Sequence, residues 1–180
     1  MVNNPILFTH KELIEKSKLG DRKMQYKLYS LYVDAMFNVS IRIVKVKEDA
    51  EDVVQDSFTD AFKHLNTFKY QSTFGAWLKR IVVNKSINYL KVKRIPLVAI
   101  EEQDYWISEP EEVDEKQLDV SKIKKAINTL PKGYQTIINL YLIEGYDHNE
   151  IGDILEISVS TSKSQYHRAK KKLVELIGSK

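Results

Sequence analysis

Apolar residues recur three and four positions apart along most of the chain, and strict alternation is sustained nowhere. The pattern predicts an all-helical protein, punctuated by six glycines and four prolines. Thr9 followed by Glu12 reads as a capping box opening a short helix that stops at Gly20. Asp21 caps a long helix with Met24, Leu28, Leu31/Tyr32, Ala35/Met36, Val39 and Ile43 inward. A third helix, from about Glu48, sets Ala50, Val53/Val54, Ser57/Phe58, Ala61/Phe62 and Leu65 on one face. Residues 66–73 form a polar loop carrying Phe68 and Tyr70, and Ser72 or Thr73 caps a fourth helix. Its stripe of Phe74, Trp77/Leu78 and Ile81 runs into Asn84 and Asn88, where the period asks for hydrophobes.

Periodicity fails between Pro96 and Asp119. It resumes near Ser121 with Ile123, Ala126/Ile127 and Leu130, broken by Pro131 and Gly133. A helix with Ile137/Ile138 and Tyr141/Leu142 ends at Gly145, a C-cap glycine. Asp147 with Glu150 is a second capping box, and Ser158 caps a last helix with Ser162, Tyr166, Ala169, Leu173 and Leu176/Ile177 inward. His148, in the first turn after a cap, is expected in solvent.

Charge sharpens this division. Residues 1–94 carry 17 basic and 10 acidic side chains, residues 95–120 one and nine, and residues 121–180 ten and six. Two basic blocks flank an acidic connector, which favours a polyanionic partner. The expected organisation is a helical domain over 1–94, an acidic flexible linker over 95–120 and a helix-turn-helix domain over 121–180. The absence of cysteine excludes disulfides and a thiol nucleophile. His10, His64, His148 and His167 have no metal-binding spacing, and no phosphate-binding glycine loop occurs. No enzymatic role, metal or cofactor is expected. The N-terminus lacks a secretion signal and no apolar run spans a membrane, so a cytoplasmic protein is expected.

Three stretches carry candidate chemistry. Two short helices joined by Glu156, Ile157 and Ser158 make a helix-turn-helix, which lays its second helix in a DNA major groove. Its outward stripe of Ser160, Thr161, Lys163, Ser164, His167, Arg168 and Lys171 contains no acid, whereas a merely solvated face usually mixes both signs. The loop 66–73, followed by Lys79, Arg80, Lys85, Lys91, Lys93 and Arg94, combines stacking surfaces with a cationic track suited to unpaired bases, and a core role for Phe68 with merely solubilising lysines stays equally open. Trp77, in register with Phe74 and Ile81, reads as core. In the acidic cluster Glu48–Asp56, the first turn suits the helix dipole. Asp52, Gln55 and Asp56 lie beyond what a cap requires, and a docking face and a solvated face both remain open for them.

Taken together the motifs resemble bacterial sigma factors of the sigma-70 family, the small extracytoplasmic-function (ECF) type. The resemblance rests on EDAEDVVQD at 48–56, FGAWLKRIVVN at 74–84, Leu130-Pro131, Glu144-Gly145-Tyr146, Glu150-Ile151, Ile157-Ser158 and His167-Arg168-Ala169. These run in the family's order from about residue 20 to 177. It implies two helical domains, regions 2 and 4, and a transcription initiation factor that lends promoter specificity to core RNA polymerase. Asp52, Gln55 and Asp56 match the polymerase-docking positions. Lys69, Tyr70, Gln71 and Ser72 match the loop that holds an extruded base of the minus-ten element. Lys79, Arg80, Asn84, Asn88 and Lys91 match positions lining the melted strand. Lys163, Ser164, His167 and Arg168 match the reader of the minus-thirty-five duplex, and Ser160, Thr161 and Lys171 share their stripe as expected DNA contacts. Core polymerase, promoter DNA and an anti-sigma factor are the expected partners, with a monomer when free. A stand-alone helix-turn-helix regulator and a protein-binding helical adaptor are the rival readings. The chain departs from the family pattern at Gly152 (usually alanine), Glu156 (usually the turn glycine), Ser162 (usually valine), Gln165 (commonly arginine) and Asn88 (commonly aspartate).

Overall fold

Asp21 fixes the start of a 23-residue helix: its carboxylate accepts hydrogen bonds from the backbone N–H groups of Lys23 (2.9 Å) and Met24 (3.2 Å). The computed structural model describes residues 9–97 and 120–178; the expected linker lies almost wholly outside the described residues. The chain divides into two compact units, Met1–Tyr89 and Leu90–Lys180.

The first unit contains α1 (Lys11–Lys18), α2 (Arg22–Val44), α3 (Lys47–Lys63), a 3-10 turn (Leu65–Thr67) and nearly all of α4 (Phe74–Val92). The Thr9–Glu12 capping box does not form. His10 takes the cap position in a left-handed conformation (φ 61°) with no side-chain cap, which moves Thr9 off the helix start. Glu12 pairs with Lys16 at 2.7 Å instead. Helix α3 buries Ala50, Val53, Val54, Ser57, Phe58 and Ala61, as its spacing predicts.

For α4 the expected register needs correction. The buried row is Phe74, Leu78, Val82/Val83, Ser86/Ile87 and Leu90, so the apolar stripe is continuous. Ile81 is only half-buried, and Asn84 and Asn88 are exposed. The stripe passes through Val82, four residues after Leu78, rather than Ile81, so the asparagines do not interrupt the core. Ser86, fully buried, donates to the Val82 carbonyl (2.8 Å) and lies 3.3 Å from Ser40 Oγ of α2, a small polar contact that lets the helices approach. Gly75 serves the same end, since a Cβ there would lie 3.0 Å from the Tyr32 ring.

The second unit holds α5 (Val120–Thr129), α6 (Lys132–Ile138), a π-turn (Asn139–Ile143), α7 (His148–Leu155) and α8 (Val159–Gly178). Ile127, Leu130, Ile138, Ala169 and Leu173 form its core, flanked by Ile123, Ala126, Tyr134, Tyr166 and Ile177. Buried Gln135 donates from Nε2 to the carbonyls of Leu130 (2.7 Å) and Asn128 (3.0 Å), closing the end of α5. The π-turn inserts an extra residue into the helical repeat. It therefore buries Leu140 and leaves Leu142 and Ile143 exposed, contrary to the simple spacing. Leu176 is also exposed, with Ile177 alone turned to the core.

Candidate nucleic-acid and protein interfaces

Three surfaces present the residues singled out above. On α3, Asp52, Gln55 and Asp56 are all exposed, directly opposite the buried Val53, Val54, Ser57 and Phe58. Glu51 lies 3.7 Å from Lys47, and Asp60 is held at 2.8 Å by Lys85 of α4. The Lys85 bond holds the Asp60 carboxyl below the usual carboxylate range. Lys85, a member of the expected cationic track, is thus paired with an acid of α3.

The second surface joins the 68–72 loop to α4. Phe68 is 3% exposed and sits in a ring cluster with Phe74 (5.8 Å between centres) and Trp77 (5.4 Å), so it is core rather than a stacking platform for bases. Trp77 belongs to the same cluster but remains half-buried. Lys69 and Gln71 are exposed, with Tyr70 and Ser72 half-buried. Thr73, not Ser72, caps α4: its Oγ1 accepts from the Ala76 N–H at 3.2 Å. Along α4, Ala76, Arg80, Asn84 and Asn88 form one exposed row at four-residue spacing, with half-buried Lys79 beside it and Lys91 in the last turn. Arg80, Asn84 and Asn88 can offer donors to phosphates and base edges, and the amides can also accept.

Tyr70 is not a loose loop residue. Its hydroxyl donates to Glu15 Oε1 at 2.6 Å, and its backbone is left-handed (φ 58°). Burial first, and then the Glu15 carboxylate, hold its phenol above the ordinary tyrosine range. Glu15 and Lys18 were missed by the sequence reading. An acid and a base three apart on a short helix look like any surface pair, and their tertiary partners, Tyr70 and Phe68, are 55 and 50 residues away.

The third surface is built by the helix-turn-helix. The Asp147–Glu150 capping box forms: Asp147 accepts from the N–H groups of Asn149 (2.7 Å) and Glu150 (2.9 Å), and Glu150 accepts from the Asp147 N–H (3.0 Å). Helix α7 stops at Glu156, which adopts the left-handed conformation (φ 61°) usually given to glycine. A Cβ on Gly152 would lie 3.0 Å from the Ile157 carbonyl oxygen. The turn folds closely onto α7, so a side chain at 152 would crowd the Ile157 carbonyl, while 156 carries a side chain at some conformational cost. Ser158 Oγ accepts from the Thr161 N–H at 3.0 Å and starts α8 as predicted.

On α8, Ser160, Lys163 and Ser164 are exposed, and Thr161, His167, Arg168 and Lys171 are half-buried on the same side. Ser162 and Gln165 are buried. His148 corrects the expectation of solvent exposure. Its ring stacks on Tyr141 (4.6 Å) and meets the edge of Tyr166 (5.7 Å), and its Nδ1 is hydrogen-bonded to Ser162 Oγ at 2.9 Å. Tyr141 lies within the π-turn. A serine where a valine would pack is explained by this bond. Burial, then the Lys163 charge, hold the imidazole below the ordinary histidine range, with Asp147 opposing them.

Comparison with known proteins adds the deciding observation. Residues 28–94 match the family Sigma-70 region 2, and residues 121–173 match Sigma-70, region 4. The chain is 31% identical over 174 residues to the ECF RNA polymerase sigma-E factor of Haemophilus influenzae, covering 90% of this chain and 92% of that protein.

The chain belongs to the sigma-70 family.

It is 29% identical over 183 residues to the Bacillus subtilis ECF sigma factor SigW, covering 91% and 94% of the two chains. The solved structure of the Bartonella quintana sigma factor RpoE, in complex with the anti-sigma factor NepR, is similar with a TM-score of 0.56 and 25% identity. That match covers 85% of this chain and 96% of the other. This sigma factor is of the ECF type and directs RNA polymerase to promoters. Like its family it is non-enzymatic, so the polymerase performs the chemistry. The stand-alone regulator and the adaptor give way to this assignment. Among the described residues, no helix is long and apolar enough to cross a membrane.

Proposed function

We propose that the three surfaces divide the work of initiation among named residues. Asp52, Gln55 and Asp56 dock on core polymerase. Lys69, Tyr70, Gln71 and Ser72 hold one extruded base of the minus-ten element, and Lys79, Arg80, Asn84, Asn88 and Lys91 line the melted strand. Ser160, Thr161, Lys163, Ser164, His167, Arg168 and Lys171 read the minus-thirty-five duplex.

The observation that carries this reading is the exposed row of Arg80, Asn84 and Asn88 along α4. The hydrophobic period is satisfied without these positions, so nothing in the core requires polar side chains in this row. A straight row at four-residue spacing rises about 6 Å per step, close to the spacing of phosphates along an extended strand. Lys163 and Arg168 are the candidates for base-edge contacts, whereas Ser160 and Thr161 at the helix start suit phosphate.

In this reading residues 1–94 act as region 2 and 121–180 as region 4, with 95–120 as an acidic linker whose charge repels DNA. The free chain is then a weak, monomeric DNA binder that works in the cytoplasm with polymerase. The NepR complex of the Bartonella quintana relative supports an anti-sigma partner for this chain as well. The test is transcription by reconstituted holoenzyme from a promoter pool randomised in both elements. Gln71→Ala should relax preference at one downstream position and Arg168→Ala at one upstream position. A shift of either variant into the other element would overturn the assignment.

A further inference from the structure

Region 2 of the family matches from residue 28 onward, leaving α1 outside it. Yet α1 holds the proposed base-selecting loop at several points. The Tyr70 hydroxyl donates to Glu15 Oε1 (2.6 Å). Lys18 Nζ donates to the Phe68 carbonyl (3.2 Å) and to Glu15 (2.9 Å), and its side chain is only 15% exposed. The ammonium groups of Lys18 and Lys11 lie 5.0 and 5.9 Å from the centre of the Tyr70 ring. The ring also packs against Phe68 at 4.7 Å.

The left-handed backbone of Tyr70 makes this grip consequential. A tyrosine in that conformation carries a steric cost and persists only where its surroundings over-determine it. Here the surroundings are α1 and the aromatic ring of Phe68. The two exposed residues of the loop, Lys69 and Gln71, flank Tyr70 directly, so the path of the backbone at Tyr70 sets where both side chains emerge. Helix α1 is itself anchored to the core. Ile14 is fully buried, Gln25 Nε2 donates to the Ser17 carbonyl (3.1 Å), and His10 is hydrogen-bonded to Tyr32 (3.0 Å).

We propose that Glu15 and Lys18 of α1 are positioning residues for promoter selection, fixing the 68–72 loop through Tyr70 so that Gln71 meets a single base in one geometry. The inference rests on the reading of that loop as the base-selecting element, and it assigns specificity to a helix that need not touch DNA. A hydrogen bond to a carboxylate on a preorganised loop is worth about tenfold in an equilibrium at a partly exposed site.

The experiment uses the full chain. Hydrogen exchange of the loop amides is measured for wild type, Glu15→Gln, Tyr70→Phe and the double variant. Each sequence is then reconstituted with core polymerase on a promoter pool randomised over the downstream element, with Gln71→Ala as the control. Both single variants should speed loop exchange and lower the preferred-to-disfavoured base ratio at the Gln71 position by about tenfold. The double variant should be no worse than either single one, and Glu15→Gln should leave the affinity for core polymerase unchanged. Unchanged exchange and unchanged base ratio in Glu15→Gln overturn the positioning role, as does a fully additive double variant. Faster exchange in Glu15→Gln with no change of base ratio, while Gln71→Ala does change it, also overturns it. If Gln71→Ala leaves every downstream preference intact while Glu15→Gln still loosens the loop, the reading of the loop fails and the clamp stands as structure only.

Discussion

Around Tyr70 the first unit presents irregular backbone held by side chains from a different helix, whereas from Ser160 to Lys171 the second presents one uninterrupted helix. The loop depends on Glu15 and Lys18, far away in sequence, and on a ring cluster beneath Phe68. Helix α8 depends on local devices: the Asp147–Glu150 box, the tight turn over Gly152, and the Ser158 cap. A rigid helix suits a partner of fixed shape such as a duplex groove. A shaped loop suits a single base that has left its stack and must be enclosed. One consequence is that damage should spread differently: a local change disturbs the duplex reader, and a remote one disturbs the base reader.

The largest expected effect lies outside both readers and isolates them from docking. Asp52→Lys combined with Asp56→Lys should weaken binding to core polymerase by about a hundredfold, since charge reversal against a basic partner surface costs about 2–5 kcal/mol. Both side chains are exposed on the far side of α3 from its core, so the melting curve should not move. Competition binding with labelled wild type measures it, and an unchanged affinity removes the docking assignment. Next in size, Arg168→Ala and Lys163→Ala should each cost about 1–3 kcal/mol on the preferred upstream duplex and much less on a scrambled one. Equal losses on both would make them phosphate contacts.

The turn of the helix-turn-helix offers a pair of opposite sign. Gly152→Ala should destabilise the second unit by about 1 kcal/mol, because its Cβ would crowd a backbone oxygen, which gives way less readily than a side-chain tip. Glu156→Gly should be neutral or stabilise by up to about 1 kcal/mol by relieving the left-handed side chain, the gain being limited by the entropy glycine adds to the unfolded chain. Urea unfolding followed in the full chain reports both, and a harmless Gly152→Ala would refute the packing account of the turn.

The smallest effect is a pH contrast between the regions. His148 is held below its ordinary value of 6.5, so its neutral form favours the fold. Its contribution is complete above that value and declines as pH falls through it toward the folded value. Glu15, also held low but from an ordinary value of 4.5, keeps its contribution until much lower pH. Between about pH 7.5 and 5.5 the second unit should therefore soften while the loop clamp holds. Thermal unfolding of wild type against His148→Gln over that range tests it. An identical pH dependence of the two would show that His148 is not responsible. The groups facing it are Tyr141, Tyr166, Ser162, Lys163 and Asp147.

What the sequence revealed follows the same contrast. The second unit's caps and its all-polar outward stripe were legible because each signal lies within a few residues of the feature it creates. Asp147, Glu150 and Ser158 act as spacing predicts. The π-turn was not legible, since one extra residue in a helical repeat leaves no mark in apolar spacing, and Leu142 was misplaced with it; His148 was misplaced because its ring partners lie on other elements. In the first unit the α4 register was misread at Ile81, next to two valines that offer an equally apolar alternative. For Phe68 the core and stacking readings stood open in the sequence, and its packing against Trp77 and Phe74 decides for the core. The grip of Glu15 on Tyr70 spans 55 residues and rests on tertiary geometry alone.

The most direct test of the central claim separates the two readers on their own substrates. Holoenzyme is titrated with a short single strand carrying the downstream element and, separately, with a duplex carrying only the upstream element. Gln71→Ala should weaken sequence-specific binding to the single strand and leave the duplex untouched, and Arg168→Ala should do the reverse. Loss of single-strand binding in Arg168→Ala, or of duplex binding in Gln71→Ala, would contradict the division of labour between loop and helix.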